Sequence, residues 1–303
     1  MIDYKVTIKE VNRICKEVGR FIELEQTRLC SQNVEEKGHN NFVTYVDKAA
    51  ETLIIGELRS LITDADFLAE ENTSNSEQNS ADYRWIIDPI DGTTNFIHGV
   101  PCYSISIALE ERGEIVAGTV YDVVNKECFW SIKHEPAFLN EKEIKVSKRA
   151  NLADSLLVTG FPYRHGTALD QWMELFKYFL RNTHGVRRLG SAALDLAYVA
   201  AGRFEAFYEY GLSPWDVAAG GFIVQQAGGK VSDFGNKSDF IFSKQLISSN
   251  PISKFIVFVV QRVIWKICNS IGTTQNRRHA FGRCAQHIHI VIVNGLIAFC
   301  WCN

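Results

Sequence analysis

The sequence predicts a layered α+β fold in which helices pack against sheets. Short runs typical of strands come in blocks, and helical segments lie between and around these blocks rather than alternating strictly with single strands. The 303 residues are enough to bury a large core in one or two domains. The apolar and charged fractions are ordinary for a soluble globular protein, and no repeat of fixed period is present.

Two helices are predicted near the N-terminus. Residues 7–10 form a capping-box pattern, and apolar residues follow at helical spacing as far as residue 22. A second helix is expected to begin near residues 44–47 and to continue to residue 61. The polar stretch 35–41 between the two helices predicts a mobile loop.

The remaining elements follow from short apolar runs bounded by turn residues. The run 103–109 alternates polar and apolar residues, so it predicts a half-buried strand. The other predicted strands cover residues 67–69, 84–88, 115–121, 128–132, 156–159, 204–209, 230–233 and 245–248. Further helices are predicted over residues 170–181, 191–201 and 215–227, with a final helix from residue 251.

The net charge of −3 is unevenly distributed along the chain. Residues 262–303 contain five of the 32 basic residues and no acidic residue. Residues 1–261 therefore carry 27 basic residues against all 35 acidic ones, a net charge of −8. This acidic body argues against a broad nucleic-acid surface, so no nucleic-acid partner is expected.

Cysteine usage and the N-terminus indicate the compartment. The eight cysteines are scattered, and the first 260 residues show no metal-type cysteine spacing. No basic segment leads into an apolar run at the N-terminus, so no signal peptide is visible. Reduced thiols and a cytoplasmic location are therefore expected.

The segment 85–95 joins an apolar run to two carboxylates and a Gly-Thr-Thr sequence. If Asp88 and Asp91 lie about 4 Å apart, they repel by about 4 kcal/mol at an intermediate dielectric, so a cation usually lies between such groups. Carboxylate oxygens suit Mg²⁺, Mn²⁺ or Ca²⁺. Backbone N–H groups near Gly92 can hold an anion, which suggests phosphate chemistry. The alternative is a simple Asp-Pro turn with an Asp-Gly corner.

Two further acidic residues lie where predicted elements begin or end. Glu70 follows a short strand, and Asp216 opens a helix. Element ends meet in a layered fold, so both carboxylates could converge on Asp88 and Asp91. Each also has a structural alternative, because Glu70 can be a solvated loop charge and Asp216 can stabilise the helix dipole.

Together these motifs resemble the inositol monophosphatase family of Mg²⁺-dependent, lithium-sensitive phosphatases, over about residues 5–260. Residues 85–96 match the family signature, and residues 69–71 and 215–220 match two further family motifs in the expected order. The run 188–211 is similar to the bacterial inositol-1-monophosphatases. The resemblance implies a layered αβαβα sandwich, like that of fructose-1,6-bisphosphatase, and a homodimer without a membrane partner.

The resemblance also implies two to three Mg²⁺ ions. Glu70, Asp88 and the backbone carbonyl of Ile90 would bind the first ion. Asp88, Asp91 and Asp216 would bind the second, and Glu70 would share a third, weaker ion.

The same resemblance implies the groups that act on the substrate. Thr93, paired with Glu70 or Asp47, would help to activate the attacking water, and Asp47 would support the third ion through water. Backbone N–H groups of Gly92 and Thr93 would hold phosphate oxygens. The remaining implied residues are the mobile-loop lysine and the groups that meet substrate hydroxyls: Lys37, Asp91, Ala192 and Glu209.

We therefore expect Mg²⁺-dependent hydrolysis of a small phosphorylated polyol, with myo-inositol monophosphate as the first candidate. Phosphate monoesters hydrolyse very slowly in water, and metal ions supply the nucleophile and the charge neutralisation that catalysis needs. In-line attack by a metal-activated water is the expected mechanism. The alternatives are a nucleotide 3′-phosphatase, a sugar bisphosphatase or a histidinol phosphatase of the same superfamily, and a non-catalytic binding protein on the same fold.

Residues 1–262 are expected to form the catalytic domain, and residues 263–303 an atypical C-terminal extension. The extension resembles no part of the family and contains four of the eight cysteines. Its apolar run 288–302 is short for a membrane span. Three interpretations stay open, namely a frame-shifted or read-through end, a membrane-surface anchor and a disordered extension, and the first is favoured.

Deletion of residues 263–303 is expected to preserve solubility and activity, because the extension adds apolar surface that promotes aggregation and no family motif. Size-exclusion chromatography and phosphatase assays on residues 1–262 and on the full chain measure the effect. A truncated chain that loses solubility or activity would contradict the domain boundary.

Overall fold

The computed structural model describes residues 2–28, 34–38, 41–71, 81–162, 166–251, 288–293 and 296–301. The helices are α1 Tyr4–Gln26, α2 Tyr45–Leu61, α3 Thr93–Ile97, α4 Gly166–Asn182, α5 Ala192–Ala200 and α6 Pro214–Gln226, with a 3₁₀ turn at Leu152–Asp154. The strands are β1 Val34–Gly38, β2 Asn41–Thr44, β3 Asp66–Ala69, β4 Tyr83–Asp91, β5 Ser104–Glu111, β6 Glu114–Asp122, β7 Glu127–Ile132, β8 Ala137–Leu139, β9 Lys142–Ile144, β10 Leu156–Thr159, β11 Gly185–Arg187, β12 Ala206–Tyr210, β13 Lys230–Ser232, β14 Gln245–Ser249, β15 Ile288–Val293 and β16 Leu296–Trp301.

Two mixed sheets form the framework. The larger has the order β3-β4-β5-β6-β7-β8-β9 and is antiparallel except for the parallel pair β3–β4. The smaller has the order β11-β10-β12-β14-β13, in which β10 runs parallel to both of its neighbours and the other pairs are antiparallel. The pairs β1–β2 and β15–β16 are separate antiparallel hairpins.

Helices and sheets stack in five layers. The helices α1 and α2 share a core with one face of the larger sheet, where Trp85 lies. The opposite face, which carries Ile86, packs with α5, α6 and Phe207 of the smaller sheet. On the far side of the smaller sheet, Trp172 of α4 packs in one core with Tyr208. This arrangement confirms the predicted αβαβα sandwich.

Strand β5 is buried on both faces, so the prediction of a half-buried strand was wrong. Its polar residues meet partners inside the sandwich instead of solvent. The hydroxyl of Ser106 donates to the carbonyl of Trp215 at 3.0 Å, and Ser104 Oγ lies 3.1 Å from Ser191 Oγ. Polar-apolar alternation marks two different faces, but it does not say whether the second face meets water or helices.

Two predictions near the N-terminus were also wrong. Helix α1 begins at Tyr4, because Asp3 accepts hydrogen bonds from the N–H groups of Lys5 and Val6 and thereby caps the helix one turn before residues 7–10. The stretch 35–41 was predicted as a mobile loop, but residues 35–38 and Asn41 belong to the paired strands β1 and β2. Backbone pairing therefore outweighs the polar side-chain composition. The mobility of this stretch stays a prediction. The predicted start of α2 near residues 44–47 is confirmed, and Thr44 and Asp47 form a capping box there.

The sequence analysis did not predict the strand pairs β1–β2 and β15–β16. It also missed three strands of three residues each, namely β8, β9 and β11. The predicted helix from residue 251 falls on residues 252–287, which lie outside the described residues. Within the described residues, no helix combines the length and the apolar character needed to cross a membrane.

Candidate active site

A β-bulge brings Asp88 and Asp91 to the same face of the larger sheet. Residues three apart in a regular strand point to opposite faces, because the side-chain period is two. Here Asp88 pairs with Ser106 and Asp91 with Ser104, so three steps on β4 match two steps on β5. The extra residue restores a common direction for the two carboxylates. Pro89 lies within the bulge, where its missing N–H costs no regular ladder hydrogen bond.

Helix α6 adds a third carboxylate to this face. Asp216 lies in its first turn, and the N–H of Ser213 donates to Asp216 Oδ2 at 2.7 Å. The hydroxyl of Ser106 on β5 holds the start of the helix through the Trp215 carbonyl. One carboxylate oxygen from each of Asp88, Asp91 and Asp216 lies within 4.8 Å of the other two.

Helix α5 fixes the orientation of Asp91. The Ser191 hydroxyl and the N–H of Ala193 donate to Asp91 Oδ2 at 2.7 and 2.6 Å. Ser191 also accepts from the N–H of Leu194 at 3.3 Å and thereby caps the start of α5. The positive end of the α5 dipole therefore faces the carboxylate.

Without a cation, burial and mutual repulsion disfavour the ionised forms of the three carboxylates. Desolvation raises the pKa of Asp88 well above its usual range, and the negative charges of Glu70, Asp91 and Asp216 raise it further. Desolvation likewise raises the pKa of Asp216, with Asp91 contributing. For Asp91, burial raises the pKa although its hydrogen bonds oppose the shift. Asp88 is buried, and Asp91 and Asp216 are half-buried. Oxygen ligands that repel one another in this way fit a hard divalent cation such as Mg²⁺.

Asp47 and Thr93 form a second polar unit beside this cluster. Thr93 Oγ1 lies 3.0 Å from Asp47 Oδ1 and 2.9 Å from the Ile90 carbonyl oxygen. Asp47 Oδ2 accepts from the N–H and the hydroxyl of Thr44 at 2.8 and 2.6 Å. Burial raises the pKa of Asp47, and these hydrogen bonds oppose the rise. The resemblance left either Glu70 or Asp47 as the partner of Thr93, and the hydrogen bond to Asp47 supports Asp47.

Only glycine fits at position 92. Gly92 has φ 101°, in the left-handed region, and a Cβ there would lie 3.0 Å from the Cys102 carbonyl oxygen and 3.2 Å from that of Gly190. The Nδ2 of Asn95 donates to the carbonyls of Cys102 and Leu189 at 2.7 and 2.8 Å. These contacts bring the loop before α5 against the end of β4.

The other predicted site residues lie on, or directly after, four further elements, namely β3, α5, β12 and β1. Glu70 directly follows β3, and its negative charge helps to raise the pKa of Asp88. Its carboxylate is not part of the group of three carboxylates that lie within 4.8 Å of one another. Ala192 is the first residue of α5. Glu209 lies on β12 against Gly160, where any Cβ would overlap its carboxylate. Lys37 lies on strand β1, and its side chain is outside the described part of the chain.

A cavity of about 130 Å³ adjoins the cluster and is lined by Asp91, Asp216 and Glu209. Two other residues of its wall, Arg188 and Asp195, had no predicted role. Burial raises the pKa of Asp195 well above its usual range. The sequence did contain one indication of a role for Asp195, because it is the single charged residue in the otherwise apolar helix α5.

Family comparison explains this arrangement. A model of the inositol monophosphatase family matches residues 3–263. The chain belongs to the inositol monophosphatase family. Membership confirms the predicted family and the predicted phosphatase class.

Individual relatives carry two kinds of name. The Nus factor SuhB of Pseudomonas aeruginosa is 42% identical over 241 residues, which cover 78% of this chain and 89% of that protein. The inositol-1-monophosphatase of Mesorhizobium japonicum is 39% identical over 252 residues, 82% of this chain and 90% of that protein. The solved IMPase structure from Thermotoga maritima has a TM-score of 0.78 at 36% identity, covering 86% of this chain and 99% of that one.

The substitution Asp88→Asn is expected to separate stability from Mg²⁺ binding. Without Mg²⁺ the variant should unfold at the same or a higher temperature than the wild type, because one of three repelling carboxylates is neutral. A ligand present at 100 times its dissociation constant stabilises a protein by about 2.7 kcal/mol, so Mg²⁺ should raise the wild-type unfolding temperature more than that of the variant. Differential scanning fluorimetry measures both effects. The exposed variant Asp82→Asn is the control, and equal Mg²⁺ shifts in all three proteins would count against a metal at Asp88.

The pH dependence of stability should report on Glu209. Burial raises its pKa from 4.5 to about 8, Arg188 opposes the rise, and Asp91 adds to it. A raised folded-state pKa contributes stability that is complete below pH 4.5 and is lost as the pH rises through 8. The unfolding temperature of Mg²⁺-free protein should therefore fall over this interval, and Glu209→Gln should flatten the decline. Thermal unfolding from pH 5 to 9 tests this, with the exposed Glu141→Gln as the control; a slope unchanged by Glu209→Gln would disprove it.

Proposed function

We propose that the protein hydrolyses small phosphate monoesters with Mg²⁺, and that a phosphorylated polyol such as myo-inositol monophosphate is its substrate. The convergence of Asp88, Asp91 and Asp216 within 4.8 Å, beside the tight turn at Gly92, carries this proposal. A cation site next to an anion site is the arrangement that phosphoryl chemistry requires.

The proposed metal residues divide into two overlapping sets. Asp88, Asp91 and Asp216 would hold one Mg²⁺, and Asp88 would share a second with Glu70 and the Ile90 carbonyl. A third, weaker ion at Glu70 would receive support from Asp47 through water. When bound, Mg²⁺ supplies positive charge that neutralises phosphate oxygens and makes water more acidic.

Thr93 and Asp47 are proposed to handle the proton of the attacking water. The Thr93 hydroxyl can accept a hydrogen bond from water while it donates to Asp47, 3.0 Å away. Asp47 is 1% exposed, and its raised pKa brings its proton affinity closer to that needed by a general base. The water would then attack phosphorus in line with the leaving alcohol oxygen.

The phosphate and alcohol ends of the substrate would contact different elements. The N–H groups of Gly92 and Thr93 would hold phosphate oxygens, and Lys37 would approach them from its hairpin. Asp91, Ala192 and Glu209 would meet the hydroxyl groups of the alcohol. Glu209 favours a hydroxylated alcohol, because a half-buried carboxyl group needs a hydrogen-bond partner and a hydroxyl group can supply one.

The names of relatives and the family resemblance bear on the substrate, the location and the oligomeric state that we propose. The inositol-1-monophosphatase name belongs to the Mesorhizobium relative and agrees with the proposed substrate, whereas the Nus factor name belongs to the Pseudomonas relative. Nucleotide, sugar and histidinol phosphates are the competing substrates. We propose a cytoplasmic homodimer, with residues 1–262 as its catalytic domain and residues 263–303 as an extension outside it.

A panel of phosphate esters tests the function. With Mg²⁺, the protein should release phosphate from myo-inositol 1-phosphate faster than from a nucleotide 3′-phosphate, fructose 1,6-bisphosphate or histidinol phosphate. Asp91→Asn should reduce turnover at least a hundredfold while thermal unfolding stays cooperative, since the variant loses a proposed metal ligand. Asp82→Asn, a change at an exposed aspartate, should keep wild-type turnover. Absence of hydrolysis across the panel, or near-normal turnover in Asp91→Asn, would rule out the proposed mechanism.

A further inference from the structure

Asp195 is a buried carboxylate with an unsatisfied oxygen at the wall of the substrate cavity. The residue is 1% exposed, and its Oδ1 has no hydrogen-bond partner among the described residues. It lines the same cavity as Asp91, Glu209 and Asp216. Helix α5, which carries it, also holds Asp91 through Ser191 and Ala193.

Another buried aspartate shows how this fold satisfies such a group when the role is structural. Asp122 is 0% exposed and accepts hydrogen bonds from the N–H groups of Val124 and Asn125, the Asn125 amide and the Tyr198 hydroxyl, all at 2.8–3.1 Å. A buried acceptor without a partner destabilises the folded protein, and more so when it is charged. The missing donor for Asp195 is therefore expected from the occupant of the cavity.

The charges around the cavity indicate what that occupant presents. Burial raises the pKa of Asp195, the neighbouring Glu209 and Asp91 raise it further, and the Arg188 guanidinium opposes the rise. Four acidic side chains face this single arginine around the cavity, so acidic groups predominate there. A phosphate group would be repelled there and would remain near Gly92 and the proposed metal ions. An uncharged group that donates hydrogen bonds, such as an alcohol hydroxyl, matches carboxylate oxygens.

We propose that Asp195 accepts a hydrogen bond from a hydroxyl group of the substrate and thereby selects polyol phosphates over phosphate esters without hydroxyl groups. The inference rests on the proposed phosphatase function. It adds a side chain of α5 to the groups proposed to hydrogen-bond with the alcohol part of the substrate. It also accounts for a charged residue within an otherwise apolar helix.

The test compares two esters, myo-inositol 1-phosphate and phenyl phosphate, in wild type, Asp195→Ala and Asp195→Asn. The ratio of kcat/KM for the polyol ester to that for the aryl ester should fall about tenfold in Asp195→Ala, chiefly through KM of the polyol ester. Asp195→Asn keeps an acceptor oxygen and should recover part of the ratio. Without Mg²⁺, Asp195→Ala should unfold at or above the wild-type temperature, since it removes a buried carboxyl group whose Oδ1 has no partner among the described residues.

Asp122→Ala is the matched control, because it removes a buried aspartate whose partners are all structural. It should unfold at a lower temperature than wild type without changing the substrate ratio. An unchanged ratio in Asp195→Ala, or loss of stability in both Asp195 variants like that of Asp122→Ala, would overturn the inference while leaving the proposed function intact. A wild-type protein that hydrolyses neither ester would overturn both.

Discussion

The one-residue bulge between Asp88 and Asp91 is the constraint on which the site depends. Without it, the two carboxylates would point to opposite faces of the larger sheet, one toward α1 and α2 and the other toward α5 and α6. With it, both face the central helix layer, where Asp216 arrives on α6. The repulsion that follows is a cost of this arrangement, and it favours binding of a cation.

The central helices offset part of this cost before any ion binds. The first turns of α5 and α6 lie close to the carboxylates, and N–H groups at helix starts carry partial positive charge. Serines of β5 fix both helix starts, Ser104 beside Ser191 and Ser106 on the Trp215 carbonyl. Ser104 and Ser106 are therefore buried because they hold the starts of α5 and α6, a role that they could not have if this face of β5 met solvent.

The sequence predicted what local chemistry determines, and the rest required tertiary contacts. The spacing of Asp88, Asp91 and Gly92 indicated a cation and anion site, and most helices and strands were located within a few residues. The strand was expected to end at residue 88, however, because the bulge that continues it to Asp91 depends on pairing with β5. Asp195 was missed because its significance comes from its burial and from an Oδ1 atom that has no partner among the described residues, and a single sequence displays neither.

Asp91 joins the two ends of the proposed reaction. Its carboxylate is one of the three that converge at the candidate metal site, yet its hydrogen bonds come from α5, the helix that also carries Asp195. Any shift of α5 would therefore move the proposed hydroxyl-binding wall and a proposed metal ligand together. In the proposed mechanism, substrate selection and metal placement are linked through Asp91. Changes in α5 should therefore alter KM and kcat together unless, as at Asp195, the altered group leaves Ser191 and Ala193 in place.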